Sequence, residues 1–83
     1  MTIKMYGTKY CGDCIRARQF FADHNTVYED NDLEQHPEFI QLISALNDGK
    51  MITPTILITF DDSTQKTLSE PSNEELGKTL GIV

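Results

Sequence analysis

The chain has 83 residues, 39% of them hydrophobic, and its 13 acidic side chains outnumber 7 basic ones for a net charge of −6. That length allows one small domain, residues 1–83, around one modest core. The acidic balance excludes a nucleic-acid binder, which needs a basic stripe, and no run approaches the ~18 apolar residues of a membrane span.

Thr2 to Tyr6 alternates apolar and polar residues at period two and predicts a strand. Gly7-Thr8-Lys9-Tyr10 is the loop that follows. The next stretch predicts a helix from about Gly12 to His24, with Ala17, Phe20 and Phe21 on one buried face. The only two cysteines of the chain, Cys11-Gly12-Asp13-Cys14, stand at this junction. Cys14 lies three residues before Ala17 and begins the buried face. Cys11 falls at the cap, where it can be exposed. A second strand is expected at Thr26–Asp30. A second helix is expected from near Pro37, a residue favoured at the first helical position, with Gly49 as its stop. Phe39, Leu42, Ile43 and Leu46 recur at helical spacing and join Phe20 and Phe21 as the expected core.

Thr55 to Phe60 is a β-prone run between Pro54 and Asp61-Asp62-Ser63. Thr64 to Leu68 is its expected hairpin partner. Ser72-Asn73-Glu74-Glu75 fits a capping box opening a last helix. The order is βαβαββα, an α/β fold with three helices and a four-stranded mixed sheet. The first two strands need a crossover, so they should be parallel, right-handed and buried. The last two should be antiparallel.

A Cys-x-x-Cys where a strand meets a helix is a redox pattern. The helix amino terminus carries about half a positive charge and unpaired N–H groups, which favour a thiolate, the species that attacks disulfides. A bridge across two intervening residues closes too small a loop to serve as a structural staple. Residues 1–20 hold four basic side chains against Asp13, whereas residues 21–40 hold six acids and no lysine or arginine. The cysteine segment is thus a basic island, with Lys9, Arg16 and Arg18 as candidates for tuning or steering. Arg16 and Arg18 equally suit solvated helix positions. No metal is expected: two cysteines make half of a tetrahedral zinc shell, and neither His24 nor His36 sits at ligand spacing.

Met5-Tyr6-Gly7-Thr8-Lys9-Tyr10-Cys11-Gly12-Asp13-Cys14, Thr53-Pro54-Thr55 and Glu70-Pro71-Ser72 together resemble the glutaredoxins of the thioredoxin fold. Among these the chain looks most like the mycoredoxin type. The resemblance covers essentially the whole chain. It implies that Cys11 is the nucleophile and Cys14 the resolving cysteine. Thr53-Pro54 matches a loop whose cis peptide bond faces the nucleophile. Only about 5–6% of X-Pro bonds in folded proteins are cis, so this expectation rests on the resemblance alone. The Thr53 backbone would then pair with a thiol substrate. Tyr10 would border the substrate groove, Lys9 would lie beside it, and Ser72 and Asn73 would hold the far end of a small thiol. The chain departs from common glutaredoxins in Gly12-Asp13 between the cysteines, in Thr8 at a usually basic place, and in Pro71-Ser72-Asn73-Glu74-Glu75 at the last turn. Glutathione, mycothiol and other thiols all stay open.

The expected protein is a thiol-disulfide oxidoreductase reducing mixed disulfides between proteins and a low-molecular-weight thiol, and protein disulfides as well. It would hold no bound cofactor and take electrons from the small thiol and its reductase. Neither nucleic acid nor membrane is an expected partner, and the expected state is a monomer. The start Met1-Thr2-Ile3-Lys4 lacks the apolar segment of a secretory signal. The expected setting is therefore the cytoplasm, where dithiols are kept reduced. One rival is a thioredoxin-like donor reduced by a flavin reductase, as for ribonucleotide reductase. Another is an iron–sulfur carrier that bridges two chains through Cys11.

Overall fold

The computed structural model describes residues 1–82; Val83, the end of the expected domain, lies outside them. Three helices accompany four strands: β1 (Thr2–Gly7), α1 (Gly12–Asp23), β2 (Glu29–Asp32), α2 (Phe39–Leu46), β3 (Thr55–Thr59), β4 (Gln65–Ser69) and α3 (Asn73–Leu80). The sheet order is β2-β1-β3-β4. β2 runs parallel to β1, with Lys4 opposite Glu29 and Gly7 opposite Asp32. β3 is antiparallel to both β1 and β4. This is the thioredoxin-like mixed sheet expected for βαβαββα.

Period-two alternation sorts the strand side chains into two cores. Ile3, Met5, Ile56, Ile58 and Leu68 face one way and meet Cys14, Ala17, Phe20 and Phe21 of α1 and Leu76 of α3. Tyr6 and Leu57 face the other way and meet Leu33, Phe39 and Ile43. α1 and α3 therefore cover one face of the sheet, and α2 covers the other.

The second strand begins three residues later than the sequence predicts. Thr26 is spent closing α1, its N–H donating to the Phe21 carbonyl at 2.8 Å. Val27 follows and is 91% exposed despite its β propensity. Pairing with β1 starts only at Glu29, so the strand reads Glu-Asp-Asn-Asp. Register overrides propensity here. The second helix also starts late. Pro37 sits in the preceding turn, where Phe39 and Ile40 bond back three residues to His36 and Pro37. Leu42 and Leu46, expected in the core, are partly exposed at 40% and 37%. Only Ile43 of α2 is fully covered, because α2 spans 8 residues and touches the sheet along a narrow stripe.

One polar tie joins the α2 side to the rest. Asn47, just past α2, is buried and donates to the Ile43 carbonyl at 2.8 Å and the Thr55 hydroxyl at 3.0 Å. Thr55 donates in turn to the Ile52 carbonyl at 2.6 Å, and Ser69 of β4 donates to the Asn47 carbonyl oxygen. Among the described residues no buried side-chain polar atom lacks a partner. None of the described helices is long and apolar enough to cross a membrane.

Candidate active site

Cys11 is the N-cap of α1, with extended backbone (φ −79°, ψ 120°). Its sulfur accepts the Cys14 N–H at 3.3 Å, the usual N-cap geometry with sulfur as acceptor. Cys11 is half-buried, Cys14 is fully buried, and both thiols are free. The Thr53–Pro54 peptide bond is cis. It brings the Thr53 carbonyl to 3.7 Å and the Thr53 hydroxyl to 3.6 Å from the Cys11 sulfur.

The two sulfurs are treated oppositely. Burial pushes the Cys11 thiol up, but donors outweigh it: the Cys14 side chain, the Thr53 hydroxyl and the backbone N–H groups of Cys14 and Asp13 leave it below the ordinary thiol value of 9.0. Each donor favours the charged form. These donors, rather than the basic side chains of the island, have the largest lowering effects. Burial pushes the Cys14 thiol up to about 11, and Cys11 adds to the rise, against lowering by the Thr8 N–H and the Arg18 charge. The half-buried thiol is thus made more acidic and the buried thiol, a helical turn behind it, less acidic.

Two contributors escaped the sequence. Only the backbone of Thr53 was expected at the sulfur, yet its hydroxyl is a donor there; a hydroxyl-bearing residue before the proline was the available signal. Gly7 packs directly on Cys14: a Cβ there would lie 2.6 Å from the Cys14 sulfur. A strand-end glycine beside a Cys-x-x-Cys was a visible but unspecific sign of close backbone approach.

The remaining candidates divide. Lys9 and Tyr10 precede Cys11 and are exposed, Tyr10 at 87%. Ser72 is the N-cap of α3, accepting the Glu75 N–H at 3.1 Å as the capping box predicts. Asn73 accepts from Arg16 at 2.8 Å, and Arg16 also donates to the Pro71 carbonyl at 2.9 Å. Arg18 donates to Asp30 at 2.8 Å and to the Thr8 carbonyl at 3.1 Å. Both arginines thus tie elements together while remaining partly exposed. Glu70, from the chain before α3, donates its N–H to the Pro54 carbonyl at 2.9 Å and so backs the cis-proline loop. An open groove of about 530 Å³ runs between α1 and the start of α3, lined by Arg16, Phe20, His24 and Asn73 among others; neither cysteine lines it. Among the described residues no three His, Cys, Asp or Glu side chains gather to hold a metal ion.

Known proteins place this geometry. The family profile described as Glutaredoxin matches residues 3–61, which contain both cysteines and the cis-proline loop. Two Mycobacterium tuberculosis proteins, "Putative glutaredoxin MT3292" of strain CDC 1551 and "Putative glutaredoxin Rv3198A" of strain H37Rv, are each 27% identical over 74 residues, covering 89% of this chain and 83% of theirs. With a profile match over most of its length, the chain belongs to the glutaredoxin family and is a thiol-disulfide oxidoreductase.

Proposed function

We propose that this glutaredoxin reduces mixed disulfides between proteins and a low-molecular-weight thiol, with Cys11 as nucleophile and Cys14 as resolving thiol. The observation that carries the reading is the unequal placement of the two sulfurs, one at a helix cap among donors and one fully buried behind it. The Cys11 thiolate attacks the small-thiol sulfur, and the protein thiolate leaves and takes a proton. A second small thiol then attacks the mixed disulfide and frees Cys11. Alternatively, Cys14 loses its proton, attacks the Cys11 sulfur and expels the small thiol, closing the Cys11–Cys14 bridge. Proximity makes that second route fast despite the low thiolate fraction at Cys14.

The Thr53 backbone, turned towards Cys11, supports strand-like pairing with an extended thiol, with Pro54 behind it and Tyr10 and Lys9 along the rim. Ser72 keeps its hydroxyl proton and Asn73 its amide protons free to meet a carboxylate of glutathione, mycothiol or a similar thiol. Electrons come from that thiol and its reductase. The protein works as a cytoplasmic monomer, holds no cofactor, and reduces protein disulfides through the Cys14 route.

The test uses a glutathionylated peptide and a protein disulfide as substrates. Cys11→Ser should lose both activities; Cys14→Ser should keep reduction of the mixed disulfide and lose that of the protein disulfide. Turnover by the Cys11 variant overturns the reading. One observation favours a second reading, a donor reduced directly by a flavin reductase. The acceptor oxygens of Ser72 and Asn73, which the ammonium group of a glutathione-like thiol would need, are already used inside the protein. Preferential reduction of the oxidised protein by thioredoxin reductase, over glutathione or mycothiol, would select it.

A further inference from the structure

We propose that Arg18 is a positioning residue for Cys14: its guanidinium clamps the Gly7–Thr8 segment against the Cys14 sulfur and sets a cation beside that sulfur, so stabilising the thiolate Cys14 becomes. The inference rests on reading Cys14 as the resolving thiol.

Cys14 and Arg18 stand four residues apart on α1, the spacing at which helical side chains are neighbours. Arg18 donates to the Thr8 carbonyl at 3.1 Å. The N–H of the same residue, Thr8, favours the charged form of Cys14. The approach of this segment is close enough that only glycine fits at position 7. Asp30 of β2 anchors the guanidinium from the far side at 2.8 Å. Cys14 itself has no exposed surface, so water cannot take up its charge.

Two steps put charge on that sulfur. In resolution, the Cys14 thiolate attacks the Cys11 sulfur; the bond between Cys11 and the small thiol breaks, and the electron pair leaves with the small thiol. In reductive opening, an incoming small-thiol thiolate bonds to the Cys11 sulfur; the Cys11–Cys14 bond breaks, the pair stays on Cys14, and Cys14 then takes a proton from solvent. A stabilised Cys14 thiolate is more abundant as attacker and departs faster as leaving group.

The titratable groups acting on Cys14 are Cys11 at the cap and Arg18 on the next turn. Asp30 of β2 and Tyr28 before it act on Arg18. The apolar cluster that holds Cys14 receives Ile3 and Met5 from β1, Ile56 and Ile58 from β3, Leu68 from β4 and Leu76 from α3.

The test titrates Cys14 alone, by thiolate absorbance in a Cys11→Ser background. Adding Arg18→Gln should move the midpoint to higher pH by about half to one unit, the size expected for losing one partly screened unit charge at a neighbouring helical position. Arg18→Lys should restore most of the shift. Asp30→Asn should move the midpoint the other way, because the cation then acts without its carboxylate. A merely structural role would move the Arg18→Gln and Asp30→Asn midpoints together, and that result, or unmoved midpoints, overturns the proposal. If Arg18→Gln unfolds by circular dichroism, the Lys and Asn variants still carry the test. A second readout follows conversion of a Cys11–glutathione mixed disulfide to the Cys11–Cys14 bridge, which should slow in Arg18→Gln. No conversion in the unaltered protein would defeat the reading of Cys14, whereas equal conversion in both would defeat the role of Arg18.

Discussion

The two faces of the sheet are packed unequally, and the two cysteines sit on the better-packed one. Under α1 and α3 lies a cluster of ten buried side chains that includes Cys14 itself. Under α2 lies a cluster of three, with Ile40, Leu42 and Leu46 left partly in solvent. The difference teaches where positional accuracy is needed. The Cys14 thiol is embedded in the core, whereas α2 connects towards the cis-proline loop through Asn47 and Thr55, the residue after Pro54. If so, substitutions on the first face should damage fold and chemistry together, and those of the partly exposed apolar residues of α2 should do little.

The strongest attempt to break the comparison is Phe21→Ala. Phe21 is fully buried and stacks on Tyr28 with centroids 4.5 Å apart. Truncating it removes a large apolar contact and leaves a cavity, a loss of about 3–5 kcal/mol. Urea unfolding of the reduced protein measures it. A loss under about 1 kcal/mol, typical of a surface site, would mean the α1 face is not the principal core.

Gly7→Ala probes the same face where fold and chemistry meet. The added methyl would sit 2.6 Å from the Cys14 sulfur. Either the strand end or Cys14 must shift, at about 1–3 kcal/mol for an overpacked core site. Because the displaced group is the second thiol, formation of the Cys11–Cys14 bridge should slow more than alkylation of Cys11. Equal slowing of both would mean that Gly7 serves the loop in general rather than Cys14.

These sites also show which parts of the molecule were legible in the sequence. The order of elements, the sheet and the unequal placement of the cysteines could be read because each leaves a local trace: alternation in Ile3 and Met5, helical spacing in Ala17, Phe20 and Phe21, capping at Ser72. The cis bond at Pro54 was reachable only by resemblance. Boundaries failed where tertiary register outweighed propensity, as at Val27, whose β-branched side chain lies outside the strand. The core assignment failed at Leu42 and Leu46 because periodicity says which side of a helix is apolar, not how much of it finds a partner. The Thr53 hydroxyl, the Gly7 contact, the Asn47 tie and the anchoring of Arg16 and Arg18 join residues distant in sequence, and no local pattern announces such pairs.

Thr53→Val isolates one donor at the Cys11 sulfur. The hydroxyl at 3.6 Å is one of the groups holding the Cys11 thiol below its ordinary value of 9.0. Valine keeps the shape and removes the proton, so the Cys11 acidity should weaken and the thiolate fraction at pH 7 should fall. Losing this weak donor should slow alkylation at neutral pH, by about threefold, with the midpoint of the rate–pH curve moved upward. Above both midpoints the two proteins should alkylate at the same rate. A uniform loss at all pH values would point to blocked access instead of lost stabilisation of the thiolate.

The smallest effect is expected on the second face, and it is the most discriminating because it should be nearly nothing. Leu46 is the last residue of α2, 37% exposed, and Asn47 beside it makes the connections to β3 and β4. Leu46→Gln keeps the helix-forming character of the position and gives up only the covered part of one side chain. The change in unfolding free energy should stay within about 0.5 kcal/mol, as for ordinary surface sites, and thiol exchange at Cys11 should be unaltered. Asn47→Ala, one residue on, should cost more, about 1–3 kcal/mol, because it removes an amide from a buried hydrogen-bond network and strands its partners. The contrast between neighbours separates two ways of attaching α2 to the sheet. If Leu46→Gln instead costs as much as Asn47→Ala, apolar contact and not the polar tie holds this face, and the inequality between the two faces narrows accordingly.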